Sequence, residues 1–143
     1  MHKGIVATSE IEVNADAERV WQALTDPDQV AEYFLGSKVK TSWKQGSPIT
    51  WAGEWKGKPY EDKGTVKVVD KPHRLVVTHF SPLAGEPDKP ENYHELTYDL
   101  SESGGHTKIV FSQDNNPDEE AAKHSKENWD TMLDGLKRVV EGS

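Results

Sequence analysis

Apolar and polar positions alternate from Ile5 to Val13, with Ile5, Ala7, Ser9, Ile11 and Val13 on one face and Glu10 and Glu12 on the other. A period of two marks a strand buried on one side. At Asn14-Ala15-Asp16 the period lengthens. Asn14 or Asp16 can cap a helix that carries Ala17, Val20, Trp21 and Leu24 on one side and ends near Asp26-Pro27. A second short helix, from Pro27-Asp28, presents Val30, Tyr33 and Phe34 and stops at Gly36. Strand-like segments then follow at Lys38 to Thr41, Ile49 to Trp55, Gly64 to Asp70, Leu75 to Phe80, Tyr93 to Leu100 and Thr107 to Ser112. From Asp118 to Glu141 the spacing returns to three and four, and Ala122, Ser125, Trp129, Met132, Leu133, Leu136, Val139 and Val140 form one stripe. Asp118, Glu119 and Glu120 suit the positive end of that helix, and Lys137 and Arg138 suit its negative end.

A strand followed by two short helices before any second strand argues against repeated βαβ units and a parallel nucleotide-binding sheet. Gly46-Ser47-Pro48, Gly57-Lys58-Pro59, Lys71-Pro72 and Ser103-Gly104-Gly105 separate most of the strands by short connections, which make antiparallel neighbours. Ser81 to Asn92 is longer and rich in proline, a loop with room for a functional role. At about 1.5 Å per residue the last helix is roughly 35 Å long, so its stripe needs a broad partner surface. The pattern therefore predicts one α+β domain over residues 1–143, a curved antiparallel sheet of about six to seven strands gripping the C-terminal helix.

Composition narrows the function classes. With no cysteine, disulfide scaffolds, thiolate metal sites and thiol nucleophiles are excluded, and a cytoplasmic location is expected. No apolar run approaches the ~20 residues that span a bilayer, and the first residues lack the apolar centre of a signal peptide. The 17 basic and 25 acidic residues leave a net charge of −8, which opposes a phosphate backbone, so no nucleic-acid partner is expected. An apolar fraction of 34% is low, and the five tryptophans must carry much of the core.

The order of elements, together with the stretches IEVNADAERVWQALTDPDQVAEYF (Ile11 to Phe34), VKVVDKPHRLVVTHF (Val66 to Phe80), LTYDLSESGGHTKIVFSQ (Leu96 to Gln113) and ENWDTMLDGLKRVVE (Glu127 to Glu141), resembles a known family. It is similar to the bacterial proteins related to the C-terminal domain of the activator of heat-shock-protein ATPase, in the START-like, SRPBCC or polyketide-cyclase-like superfamily. The resemblance implies a helix-grip fold with a cavity between sheet and helix. It also implies binding of a small hydrophobic or amphipathic, lipid-like ligand, with no cofactor. Two other functions come with the resemblance: a cyclase or hydratase acting in the cavity, and a stress-response module that touches a chaperone. Where the family usually has glycine before the helix tryptophan, this chain has Asn128 before Trp129, which adds bulk near the cavity.

Alternation places His94 with Leu96, Tyr98 and Leu100, and His79 with Leu75 and Val77, on the inward face of strands flanking the long loop. The two imidazoles then serve as a polar anchor for a ligand or as an acid/base pair near neutral pH, or they are partly buried histidines satisfied by neighbours. A third metal ligand is missing, because Glu95 points to the other face and His124 lies off the helix stripe, so no metal is expected. Trp51 and Trp55 share a strand face, and Gly53 between them leaves room for a bulge or for a close-packed group. The expected ligand-binding set is Trp51, Trp55, His79, His94, Tyr98, Trp129 and Met132, with no residue assigned to catalysis. Asp62, Asp99 and Asp114 read as solvated acids, and no Gly-x-Ser-x-Gly elbow supports a hydrolase.

Overall fold

The computed structural model describes residues 4–34, 36–55, 57–81 and 87–142, with Trp55 described by its backbone alone. In chain order the elements are β1 (Ile5–Val13), α1 (Ala17–Thr25), α2 (Pro27–Tyr33), β2 (Lys38–Lys40), β3 (Pro48–Trp55), β4 (Lys58–Asp70), β5 (Arg74–His79), β6 (His94–Ser103), β7 (His106–Asn116) and α3 (Glu119–Gly142). The strands form one 7-stranded antiparallel sheet in the order β1-β7-β6-β5-β4-β3-β2. This is the α+β helix-grip architecture that the hydrophobic pattern predicts.

Each helix starts where its side chains can satisfy free backbone N–H groups. Asp16, rather than Asn14, caps α1 by accepting from the Arg19 N–H at 2.8 Å. Asp26 accepts from Asp28 N–H at 3.0 Å ahead of Pro27, which lacks a backbone donor and fits the first turn of α2. Asp118 accepts from Ala121 N–H at 2.8 Å and opens α3.

A single core joins all layers. Val13 of β1 and Val39 of β2, from the two edge strands, lie in one cluster with Met132, Leu133, Leu136 and Val140 of α3. Helix α3 packs on β1 and β7 at one edge of the sheet, and α2 bridges α3 to β2 at the other. Helix α3 is tied to β1 by polar bonds as well: Ser9 Oγ donates to the Lys126 carbonyl at 3.2 Å, and Lys137 Nζ donates to the Glu12 carbonyl at 2.9 Å. Where α2 crosses α3, Gly135 lets the helices approach; a Cβ there would lie 3.1 Å from Tyr33 Cβ.

The largest boundary difference from the sequence reading is at β4. Strand β4 begins at Lys58, not at Gly64, so β3 and β4 form a tight hairpin with Trp55 opposite Lys58. The hairpin also settles the role of Gly53. It faces Tyr60 across the pair, and a Cβ on it would come within 2.7 Å of the Tyr60 hydroxyl, which is itself 2.6 Å from Ser37 Oγ. The close-packed group over Gly53 is thus a ring of the same chain.

Candidate functional site

Between the sheet and the first half of α3 lies a cavity of about 440 Å³. Tyr33 and Phe34 at the end of α2 form one wall. Asp62 of β4, His79 of β5 and Gln113 of β7 rise from the sheet, and Ser125, Asn128, Trp129, Thr131 and Met132 come down from α3. Asn128 and Thr131 are exposed and make the rim.

The apolar part centres on Trp129. Its ring lies 4.4 Å from the Phe111 ring and 5.9 Å from that of Phe34, centroid to centroid. Its Nε1–H donates to Gln113 Oε1 at 2.5 Å, so the indole is held by tilted ring contacts with Phe111 and Phe34 and by a hydrogen bond at its edge. Gln113 is 8% exposed and belongs to a polar seam between β7 and α3 in which Ser125 Oγ donates to Asn116 Oδ1 at 2.9 Å and Asn116 Nδ2 donates to the Ile5 carbonyl at 2.8 Å.

The polar part is a histidine and a carboxylate. His79 Nε2 lies 3.0 Å from Asp62 Oδ2, and the Trp51 ring meets the imidazole edge-on at 5.0 Å. Asp62 is 9% exposed, and its other oxygen, Oδ1, is buried with no hydrogen-bond partner among the described residues. The expectation that Asp62 is a solvated acid is therefore corrected. Pairing across the hairpin puts Asp62 directly opposite Trp51, and because Trp51 points into the core so does Asp62. Asp114 is corrected too: it is buried and accepts from the Glu95 N–H at 2.6 Å. Asp99 stays half-buried, 3.7 Å from Arg74 Nη1.

The predicted residues separate into groups. His79, Trp129 and Met132 line the cavity. Trp51 and Tyr98 lie deeper, around a void of only about 20 Å³ closed by Leu24, Val30, Tyr33, Ile49 and Leu75. His94 stands directly opposite His79 in the β5–β6 ladder, as alternation requires. Its Nδ1, however, lies 2.9 Å from the Asp114 carbonyl, and the ring borders a separate hollow with Thr65, Thr78 and Tyr93. The two imidazoles are neighbours in register but serve different spaces. The Trp55 side chain lies outside the described residues, as do 82–86 of the long loop. The rest of that loop is fastened by the Tyr93 hydroxyl to Asp88 at 2.6 Å and by the Lys63–Asp88 ion pair, which holds the Asp88 carboxyl below its usual range.

The sequence presents Tyr33 and Phe34 only as the apolar face of a short helix and does not mark Gln113 as a site residue. Sequence reasoning offers a signal for Gln113: it shares the inward parity of Ile109 and Phe111 on β7. Among the described residues no three His, Asp or Glu side chains gather as a metal site, and no helix is long and apolar enough to cross a membrane.

Residues 14–141 match the family model described as Activator of Hsp90 ATPase homolog 1-like protein. No curated protein matches the chain at a significant level. Among solved structures, ChR145 from Cytophaga hutchinsonii is 46% identical with a TM-score of 0.86, over 99% of this chain and 97% of that one. MLL2253 from Mesorhizobium loti shares the fold at 17% identity and a TM-score of 0.78, over 97% and 98% of the two chains. So does Aha1 from Colwellia psychrerythraea, solved as a dimer, at 19% identity and a TM-score of 0.75, over 96% of each chain.

Proposed function

Because the chain belongs to the Activator of Hsp90 ATPase homolog 1-like family and has its helix-grip fold, we propose that it binds a small hydrophobic or amphipathic molecule between the sheet and α3. The observation that carries this reading is the cavity of about 440 Å³ walled by Phe34, Trp129 and Met132 with a polar pair at one side. Its size falls in the range of small-molecule sites, about 300–1,000 Å³. Apolar ligand surface removed from water contributes about 25 cal/mol per Å², less the cost of ordering the ligand. His79, Trp129 and Met132 touch the ligand in this reading, while Trp51 and Tyr98 form the packed floor beneath it and Trp51 supports the His79 ring.

Met132→Trp tests the assignment by placing an indole where the ligand goes. The added ring has free space to enter, so the variant is expected to stay within about 1 kcal/mol of the parent in urea unfolding. It should no longer take up a neutral fluorescent probe such as N-phenylnaphthylamine. Unchanged uptake in the folded variant would place the site elsewhere.

A second reading, a cyclase- or hydratase-type enzyme, has the His79–Asp62 pair in its favour. Asp62 holds Nε2 and leaves Nδ1 as the nitrogen for proton transfer. Turnover of a carbonyl-rich substrate with a pH profile near neutrality that vanishes in His79→Ala would support it, and a full substrate panel without turnover would remove it.

A further inference from the structure

Most polar groups of the cavity wall are committed inside the protein. Trp129 Nε1–H serves Gln113 Oε1, Ser125 Oγ serves Asn116, the Tyr33 hydroxyl donates to the Ala23 carbonyl at 2.9 Å, and Thr131 Oγ1 donates to the Glu127 carbonyl at 3.1 Å. Asp62 Oδ1 is sealed inside the protein, out of reach of anything in the cavity. His79 is placed differently. Its side chain is 16% exposed and lines the cavity, and its Nε2 is taken by Asp62 Oδ2. Nδ1 is neither bonded among the described residues nor one of the sealed atoms, so it is the ring nitrogen that the cavity can reach.

What Nδ1 can do follows from Asp62. An imidazole is a stronger base than a carboxylate, so the proton between them rests on Nε2. Nε2–H donates to Asp62 Oδ2 at 3.0 Å, and a neutral ring with its proton there presents a lone pair at Nδ1. The sealed Oδ1 strengthens this arrangement. Because that oxygen has no partner among the described residues, moving the proton to Nδ1 would strip the buried carboxylate of the one donor it has there. The Trp51 ring, edge-on at 5.0 Å, limits rotation of the imidazole. The tautomer is therefore set from behind the ring. In a site walled largely by apolar side chains, the exposed lone pair needs water or a ligand group that donates.

Resting on the cavity reading above, we propose that the bound molecule is a neutral alcohol, with an apolar body that packs on Phe34, Trp129 and Met132 and a hydroxyl that donates to His79 Nδ1. An ether of the same size offers only lone pairs and meets Nδ1 with no hydrogen between them. Asp62 is a positioning residue that acts through His79.

Decanol and nonyl methyl ether are isomers, of which only the first carries a hydroxyl. Their displacement of N-phenylnaphthylamine at mildly alkaline pH is compared in the parent protein and in His79→Gln. That variant sets an amide N–H near the place of Nε2, where it can keep the bond to Asp62, and lacks Nδ1. The affinity ratio of decanol to ether is expected to be on the order of fivefold higher in the parent, the equivalent of one hydrogen bond. Equal ratios in the two proteins, with probe uptake still abolished by Met132→Trp, would leave the cavity reading standing and overturn the alcohol assignment. Probe uptake that neither isomer displaces would do the same, and no uptake of the probe at all would overturn both. A second measurement needs no variant. In nitrogen NMR of the parent protein, the His79 Nδ1 resonance should be that of an unprotonated ring nitrogen and should shift with decanol but not with the ether. A proton found on Nδ1 in the free protein would overturn the proposal even where His79→Gln does not fold.

Discussion

Beneath α1 and α2, residues Ile49, Trp51, Leu75, Val77 and Tyr98 of the sheet close against Leu24, Val30 and Tyr33 and leave about 20 Å³. Beneath the first half of α3 about 440 Å³ stays open. The sheet presents Trp51 and Tyr98 on the closed side and Asp62, His79 and Gln113 on the open side, and the covers differ as well. Helices α1 and α2 press Leu24, Val30 and Tyr33 onto the strands. Helix α3 buries Leu133, Leu136 and Val140 in its second half but only Ala122 in its first, and between them Ser125, Asn128 and Thr131 take the turns near Trp129, with Met132 at the cavity. Small and polar side chains on that stretch cannot fill the space below it, and one tryptophan, held by a single hydrogen bond, props it open. The location of the cavity is set by where the apolar stripe of the helix thins.

If the closed side is as tightly packed as its small void implies, the largest effect belongs to Trp51→Ala, which should cost about 3–5 kcal/mol in urea unfolding. A loss below about 1 kcal/mol would erase the contrast between the two sides. Alkali probes the same side. Burial pushes the Tyr33 and Tyr98 hydroxyls well above their usual range, Tyr98 adding to the shift of Tyr33. In the unfolded chain both ionise at about pH 10. Because the folded values are raised, this stability is intact below about pH 10 and is lost as pH climbs toward the folded values, by about 1.4 kcal/mol per pH unit for each tyrosine. Tyr98→Phe should lower the slope of stability against pH in that window by about 1.4 kcal/mol per pH unit, while Tyr33, Tyr93 and Lys63 keep their own share; an unchanged slope would mean that the phenol is hydrated. The smallest effect is expected on the open side. Trp129→Phe keeps an aromatic ring beside Phe34 and Phe111 and removes the donor to Gln113 and part of the ring area, at a cost of about 1–2 kcal/mol. A cost as large as that of Trp51→Ala would show that the roof of the cavity is as rigid as the packed floor.

The half-buried β1 and the stripes of α1 and α3 are legible in the sequence because each is a local period that one face of one element imposes. Pairing is harder to read. Pro59 and the charged run Glu61-Asp62-Lys63 look like a turn, yet they continue β4, because Pro59 sits at the second residue of the strand, where a missing N–H is tolerated. Misplacing that boundary hides Asp62, whose inward direction follows only from its position opposite Trp51. The His79–His94 register could be read from alternation and the loop between them. What each ring faces could not, since the partners, Asp62 and the Asp114 carbonyl, come from other strands.

The bonds from Ser9 to Lys126 and from Lys137 to Glu12 span more than a hundred residues of chain. During synthesis the first strand therefore waits, its apolar face uncovered, until the seventh strand and the final helix have left the ribosome. Closing so long a loop costs entropy that grows with its length, and contacts this distant in sequence slow folding. The waiting strand carries Glu10 and Glu12 on its other face, and their repulsion between neighbouring nascent chains guards an unpaired edge during that delay.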